Sequence, residues 1–213
     1  MKERRSVNNG RNRTAAEVAV GMDDAVTSRS NGSYSCGAAG RFREGVMTML
    51  RVRNQAAATP IASELVNALL GAEQEDAEIE GALLGMAAAQ SARLQQHALL
   101  GPLCMFASLR LASCGGREVA ELATAAWKLG RPDPGFLRAV AEYCASPPAG
   151  AFKSMRDIAM LALIYFQSFK GGMPHIDHAT ALKGLTDVSL LHMHAGSTRD
   201  VVEFTHALTH SLE

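Results

Sequence analysis

The chain has 213 residues, 47% of them hydrophobic and only 5% aromatic, with no formal net charge. That is enough apolar material for a packed core, and the wealth of Ala, Leu and Met favours close-packed helices over sheets. No stretch reaches the ~18 apolar residues of a membrane span: the best candidate, 158–169, is too short and is interrupted by Gln167.

Neutrality conceals an asymmetry. Residues 1–53 hold ten Lys/Arg against five Asp/Glu, whereas residues 54–213 hold eleven against sixteen. A basic arm ahead of a mildly acidic body points to an anionic partner, most naturally a nucleic-acid backbone. Residues 1–40 are rich in Arg, Asn, Ser and Gly. Within them only 14–26 has helical character, with Ala15, Val18, Ala19 and Met22 on one face and Thr14 as N-cap. The Arg- and Ser-rich start loosely resembles an organelle transit peptide, against which Glu3, Asp23 and Asp24 count, and no apolar core of a secretory signal follows it. Residues 7–40 hold too little apolar surface to offset the ~1–2 kcal/mol per residue of backbone ordering, so an external surface is expected to hold them. The stretch 41–55 reads as a short basic helix, with Val46, Met49 and Leu50 inward. Arg11, Arg13, Arg41, Arg43, Arg51 and Arg53 are therefore the candidate RNA contacts, since guanidinium groups grip phosphates bidentately. The competing reading of the same arginines is a solvated face. The expected division is an arm over 1–53 and a helical-repeat domain over 54–213.

Thr59-Pro60 reads as an N-cap and first helical residue, opening a helix through Leu65, Leu69 and Leu70 to Gly71. The acids Glu73, Glu75, Asp76, Glu78 and Glu80 complement the dipole of a helix over 79–90. Further helices are expected at roughly 91–100, 102–113, 117–129, 134–145, 154–169, 175–184, 186–194 and 198–212. Gly101-Pro102, Cys114-Gly115-Gly116, Pro132-Asp133-Pro134, Pro147-Pro148 and the segment 171–174 punctuate them. Such short connections make consecutive helices antiparallel neighbours. No segment alternates with period two, so no sheet is expected.

A near-repeat spaced by 39 residues organises this pattern. Val119, Ala120, Leu122, Ala123 and Trp127 match Ile158, Ala159, Leu161, Ala162 and Phe166, small on small and bulky on bulky. The register continues with Leu137 opposite Ile176. A period of 20–50 residues built from two helices marks a solenoid. The fold class expected is all-α: a short α-solenoid of antiparallel helix hairpins behind an extended basic N-terminal arm. The stretch 119–143 resembles the repeats of organellar RNA-binding proteins, the octotricopeptide-repeat family, and related units in FAST-kinase-domain and RAP-domain proteins. Leu122, Ala123, Trp127, Leu129 and Gly130 carry the likeness, with Pro132-Asp133-Pro134 as the turn. The resemblance implies an α-solenoid of a mitochondrion or plastid, associated with RNA.

Few side chains offer chemistry. His206 and His210 share a helix face at i, i+4, but the Glu of a metalloprotease helix is replaced by Ala207. His175, His178, His192 and His194 fall at helix ends. Cys36, Cys104, Cys114 and Cys144 lack metal-type spacing and read as free thiols of a reducing compartment. Trp127 reads as a core residue. No nucleophile elbow or phosphate loop is present. The functional expectation is a non-enzymatic structural subunit of an organellar ribonucleoprotein resembling the mitochondrial ribosome. Its arm meets RNA, ribosomal in kind, its body meets protein subunits, and it needs no metal or cofactor. The alternative is a scaffold of an organellar protein complex without RNA.

Overall fold

The computed structural model describes residues 37–130, 132–171 and 176–209. They form helices α1 (Ala38–Arg51), α2 (Gln55–Gln74), α3 (Gly81–Arg93), α4 (His97–Ser108), α5 (Gly116–Lys128), α6 (Pro134–Ala145), α7 (Met155–Lys170), α8 (His178–Ser189) and α9 (Thr198–Thr209). Single 3-10 turns lie at Leu111–Ser113 and Met193–Ala195, and the described residues contain no strand.

Polar side chains fix several helix starts. Asn54 accepts the Ala57 N–H at 2.8 Å to open α2, and Asp177 accepts the Thr180 N–H at 2.9 Å to open α8. Asp133 accepts the Phe136 N–H at 3.0 Å, with Pro134 preset for the first helical position of α6. Ser154 accepts the Asp157 N–H at 3.3 Å and donates to the Asp157 carboxylate at 3.0 Å, opening α7. Each such cap satisfies a backbone donor that the helix cannot, worth about 1 kcal/mol.

Helices α1, α3, α5, α7 and α9 lie side by side in one layer, and α2, α4, α6 and α8 in a second. Consecutive helices join as antiparallel hairpins across the layers. Every helix thus packs on the helix two places along, which is the arrangement of an α-solenoid. The expected near-repeat falls on equivalent helices of one layer. All seven buried positions of α5 (Gly116, Val119, Ala120, Leu122, Ala123, Ala125 and Ala126) have a buried counterpart in α7 at 39 residues further on. The offset fails in the second helix. Caps Asp133 and Asp177 stand 44 apart, so Leu137 corresponds to Ala181, not to Ile176. Helix α7 runs three residues past the end of α5, and the connection after it is two residues longer.

A third copy precedes these two. Leu84, Gly85, Ala87, Ala88, Gln90 and Ser91 of α3 are buried, and adding 35 to each gives a buried residue of α5. Leu99, Leu100, Leu103, Cys104, Phe106 and Ala107 of α4 are buried, and adding 37 to each gives a buried residue of α6. The expected break at Gly101-Pro102 is absent. Pro102 sits as the sixth residue of α4, where it forfeits one hydrogen bond near the helix start, and the buried apolar face outweighs that loss. The real break is at 94–96, where Gln95 takes a left-handed conformation with φ 55°. Pro60 is likewise internal to α2, because Asn54 caps the helix five residues upstream of Thr59. The helices expected at 175–184 and 186–194 are one helix, α8.

The largest departure concerns the arm. Ala38, Phe42, Val46 and Met49 of α1 are buried in the same core as Leu65 and Leu69 of α2. The boundary expected at 53/54 therefore does not exist: α1 is the first helix of the repeat body. Its three arginines, Arg41, Arg43 and Arg51, misled because they occupy the outer face of an amphipathic helix. Residues 1–36, including Arg11 and Arg13, lie outside the described residues.

Polar stitches join successive hairpins. The Tyr143 hydroxyl donates to the Cys114 carbonyl at 2.9 Å, and the Tyr165 hydroxyl to the Leu137 carbonyl at 3.0 Å. The Gln90 amide donates to the Met49 carbonyl at 2.8 Å, and that of Gln96 to the Gln55 carbonyl at 3.1 Å. Between α6 and α8 the contact is backbone on backbone. A Cβ at Gly184 would lie 2.1 Å from the Cys144 carbonyl oxygen. Gly184→Ala is therefore expected to lower stability by about 1–3 kcal/mol, the usual cost of overpacking, read as a fall in the thermal midpoint by circular dichroism. An unchanged midpoint would show that the α6–α8 seam is not close-packed. A chain beginning at Asn54 is expected to lose cooperative unfolding. It lacks Phe42, Val46 and Met49, each worth about 1.5–3 kcal/mol of burial, and calorimetry on that truncation checks this.

Candidate nucleic-acid interface

Helix α1 separates the arginines proposed from sequence. Arg41 and Arg43 stand in its first two turns, Arg51 in its last, so about 15 Å of helix lies between Arg41 and Arg51. Arg41 reaches Glu75 at 3.9 Å, and Arg43 is bonded to Glu80 at 3.2 Å. These two face the acids that follow α2. Arg51 and Arg53 lie at the opposite edge of the stack, exposed to solvent. The set thus divides between two edges, and only Arg51 and Arg53 stand clear of carboxylates.

That second edge, where the hairpins turn, has a regular chemistry. Each of α1, α3, α5 and α7 ends on a cation in its last turn: Arg51, Arg93, Lys128 and Lys170. Arg53 follows Arg51 in the first connection. Arg93 donates to the Val52 carbonyl at 2.8 Å, which brings the ends of α1 and α3 together. Among the described residues none of these five cations makes an ion pair, nor do Arg138, Lys153 and Arg156, whereas Arg41, Arg43, Arg110, Arg117, Lys183 and Arg199 do. Lys170 instead lies over the Phe166 ring at 4.6 Å. Among the described residues the acids on this edge are the cap residues Asp133 and Asp177.

A cation at a helix C-terminus is favoured by the helix dipole. Dipole complementarity alone does not explain the pattern, because α2, α4, α6 and α8 have no basic residue in their last turns. Cations stand on both edges, but on the far edge Arg41, Arg43, Arg110, Arg117, Lys153 and Arg156 lie among acids. The far edge carries the acids: Glu75, Asp76, Glu78 and Glu80, then Glu118, Asp157 and Asp200 in the first turns of α5, α7 and α9.

A cleft of about 670 Å3 opens on that far edge between the starts of α5 and α7. Its charges balance one another. Arg117 bonds Glu121 at 3.1 Å, and Asp157 bonds Ser154. Burial holds the Asp157 carboxyl above its ordinary pKa against the lowering effect of the Ser154 hydrogen bond. Arg117, Lys153 and Arg156 stand against Glu118, Glu121 and Asp157, leaving no net charge to attract an ion.

Sequence reading missed one hydroxyl–imidazole pair. Ser168 Oγ lies 2.9 Å from His178 Nε2. The spacing of ten residues across a helix connection gave no signal. Ser168 is fully buried and bonds the Tyr165 carbonyl at 2.9 Å, so its oxygen is turned into the helix and away from any substrate. The pair joins α7 to α8 in a structural role. The His206 ring packs edge-on to Phe166 at 5.4 Å, and His210 lies outside the described residues. Among the described residues no three His, Cys, Asp or Glu side chains converge as metal ligands. Burial raises the Cys104 thiol to about 12 and that of Cys114 to about 11, and pushes Cys144 higher still. All three are free and remain protonated at neutral pH. Trp127 is half-buried against the core at the position of Phe166. No helix of the described residues is long and apolar enough to cross a membrane.

No protein-family model, curated protein or solved structure matches the chain.

His178 generates a pH prediction. Partial burial holds its pKa below the ordinary 6.5, against the Ile176 carbonyl and Asp177, which pull it up. The unfolded chain therefore binds the proton more readily, and stability is lost as pH falls below about 6.5. His178→Gln should flatten that acid-side slope in denaturant titrations between pH 7 and 5. An identical slope in the variant would remove His178 as its source.

Proposed function

We propose that the chain is a non-enzymatic, RNA-associated subunit of an organellar ribonucleoprotein, meeting the phosphate backbone along its hairpin-tip edge. The observation that carries this reading is the row of Arg51, Arg53, Arg93, Lys128 and Lys170, without ion pairs among the described residues and gathered on one edge of a body whose other edge mixes acids and cations. Neighbouring helices of a layer lie about 8–10 Å apart, so the row extends over roughly 30 Å. A linear polyanion can meet such a row along its length, releasing counterions at each contact. The far edge, where acids and cations neutralise one another, offers the same polymer no such row.

The repeat resemblance at 119–143 supports RNA as the polymer and a mitochondrion or plastid as the setting, a mitochondrial ribosome being one such particle. Arg11 and Arg13 extend the same charge in sequence. Arg41 and Arg43, paired with Glu75 and Glu80, are dropped from the contact set. Protein neighbours have their own surface on the body: Met105 and Leu109 are 62% and 71% exposed, and Leu190 and Leu191 are 67% and 70% exposed. Those side chains also favour the second reading, a protein scaffold without RNA, and nuclease treatment of the native complex separates the two.

The test is the salt dependence of binding to a single-stranded RNA, measured by fluorescence anisotropy. Five phosphate contacts correspond to a slope of log K against log salt of about −3.5, at ~0.7 per contact. Replacing Arg51, Arg53 and Lys128 together with Gln should reduce that slope by about 2. Replacing Arg117 and Arg156 on the far edge should leave it unchanged. Equal effects from the two edges, or binding indifferent to salt, would defeat the proposal.

A further inference from the structure

The last described hairpin departs from its predecessors at one place. The counterpart of Lys128 in α7 is Gln167, 39 residues on, yet α7 continues through Ser168, Phe169 and Lys170. This added turn carries the last cation of the row and an aromatic ring. Phe169 is 47% exposed, although it is among the most apolar residues of the chain. Its ring meets His178 edge-on at 5.7 Å, and His178 meets Tyr165 in the same manner at 6.2 Å. The hydrogen bond between Ser168 and His178 fixes the imidazole against which Phe169 rests.

Beside Phe169 lies a cleft of about 510 Å3 between the ends of α7, α8 and α9. Its walls are unlike those of the charged cleft on the far edge. Ile176, Leu182 and Leu208 supply apolar surface, and Asp177, Lys183 and Thr186 supply polar groups. Asp177 is held by Thr180, at 2.9 Å to the N–H and 2.6 Å to the hydroxyl, so its carboxylate is oriented before any ligand arrives. Lys183 is bonded to Asp187 at 3.1 Å. An apolar cleft with a few fixed polar groups is the usual form of a site for a small planar ligand.

We infer that this cleft is a nucleobase-binding site, in which Phe169 stacks on one base of the RNA strand whose phosphates follow the row ending at Lys170. The inference rests on the RNA reading above and adds a base-contacting site to it. Continuity with the row selects the occupant: the exposed ring and its cleft adjoin the end of the cationic edge, where an anionic strand is held, and Lys170 follows Phe169 in α7. A stacked base needs a planar apolar partner, and every base has a π-face, so the site accepts bases of more than one kind. The Asp177 carboxylate accepts a hydrogen bond from an exocyclic amino group, which favours adenine, cytosine or guanine over uracil.

Two measurements on the full chain separate the site from the row. In the first, adenosine 5′-monophosphate is titrated against the protein while the Phe169 and His178 ring resonances are followed by NMR; saturable shifts of both are expected, and their absence overturns the inference whatever the row does. In the second, a single-stranded oligoadenylate is bound to Phe169→Ala, Phe169→Leu and Phe169→Trp. Stacking predicts a 5- to 100-fold loss of affinity in the Ala and Leu variants at unchanged salt slope, with Trp retaining or raising affinity. Leu keeps apolar packing, so a Leu variant that binds as the parent overturns stacking. A Phe169 series without effect, in a protein whose row variants still lose affinity, removes the base site and leaves the RNA reading standing. Oligoadenylate binding that is absent or indifferent to salt, with the mononucleotide shifts intact, defeats the row reading and the strand, leaving a mononucleotide site.

Discussion

Close approach of helix backbones at small residues is the constraint on which the rest of the structure depends. In the layer of α3, α5 and α7, Gly85, Ala120 and Ala159 occupy one equivalent position, and Ala88, Ala123 and Ala162 another, all buried. A larger side chain there would push neighbouring helices apart and lose the dispersion contacts of every residue beside it. The second layer meets the same limit at Gly184, whose Cα faces the Cys144 carbonyl. Bulky residues then close the gaps between small ones: Leu84, Val119 and Ile158, or Phe106 and Tyr143. Few aromatics are needed, which is why a chain with 5% aromatic content still builds a continuous core.

That constraint decides how much of the fold was legible. Helices α5 and α7 share both their small and their bulky positions, and the offset of 39 is visible by eye. Helix α3 shares the small positions but substitutes Gln90 and Ser91 where α5 has Ala125 and Ala126. Both polar groups are satisfied by carbonyls, Met49 for Gln90 and Ala87 for Ser91, so burial costs little in the structure. A sequence pattern cannot register those partners, and Pro102 completed the disguise by suggesting a break inside α4. The arm was misread for a related reason. Counting arginines over 41–53 measures the outer face of α1, while Phe42, Val46 and Met49 at helical spacing record the inner one.

The candidate interface was legible only in part. Composition located positive charge near the start of the chain, and Arg51 and Arg53 do stand on the basic edge. The rest of the row, Arg93, Lys128 and Lys170, is separated by intervals of about forty residues and becomes a row only when hairpins stack. Charge totals even pointed the other way, because the acids of the far edge outnumber these cations and give the body its net negative sign. The physical quantity that matters is the separation of charge across the stack. A solenoid creates such separation cheaply, since every second helix ends on the same edge and one residue per repeat sets that edge's sign.

The same geometry explains why elaboration of one repeat creates a distinct site. While the offset stays between 35 and 39, each unit presents the same helix ends, and the edge offers regularly spaced charges. In the last hairpin the offset grows to 44 between Asp133 and Asp177, divided between a longer α7 and a longer connection. The extra turn cannot join the packing of the row, because no equivalent turn of α5 stands beside it. Phe169 is therefore left half-exposed, and the ends of α7, α8 and α9 draw apart around an apolar hollow. Burying that ring within the hairpin would require shortening α7 by the very residues that carry Lys170. Exposure of the aromatic group and placement of the last cation are thus consequences of one insertion.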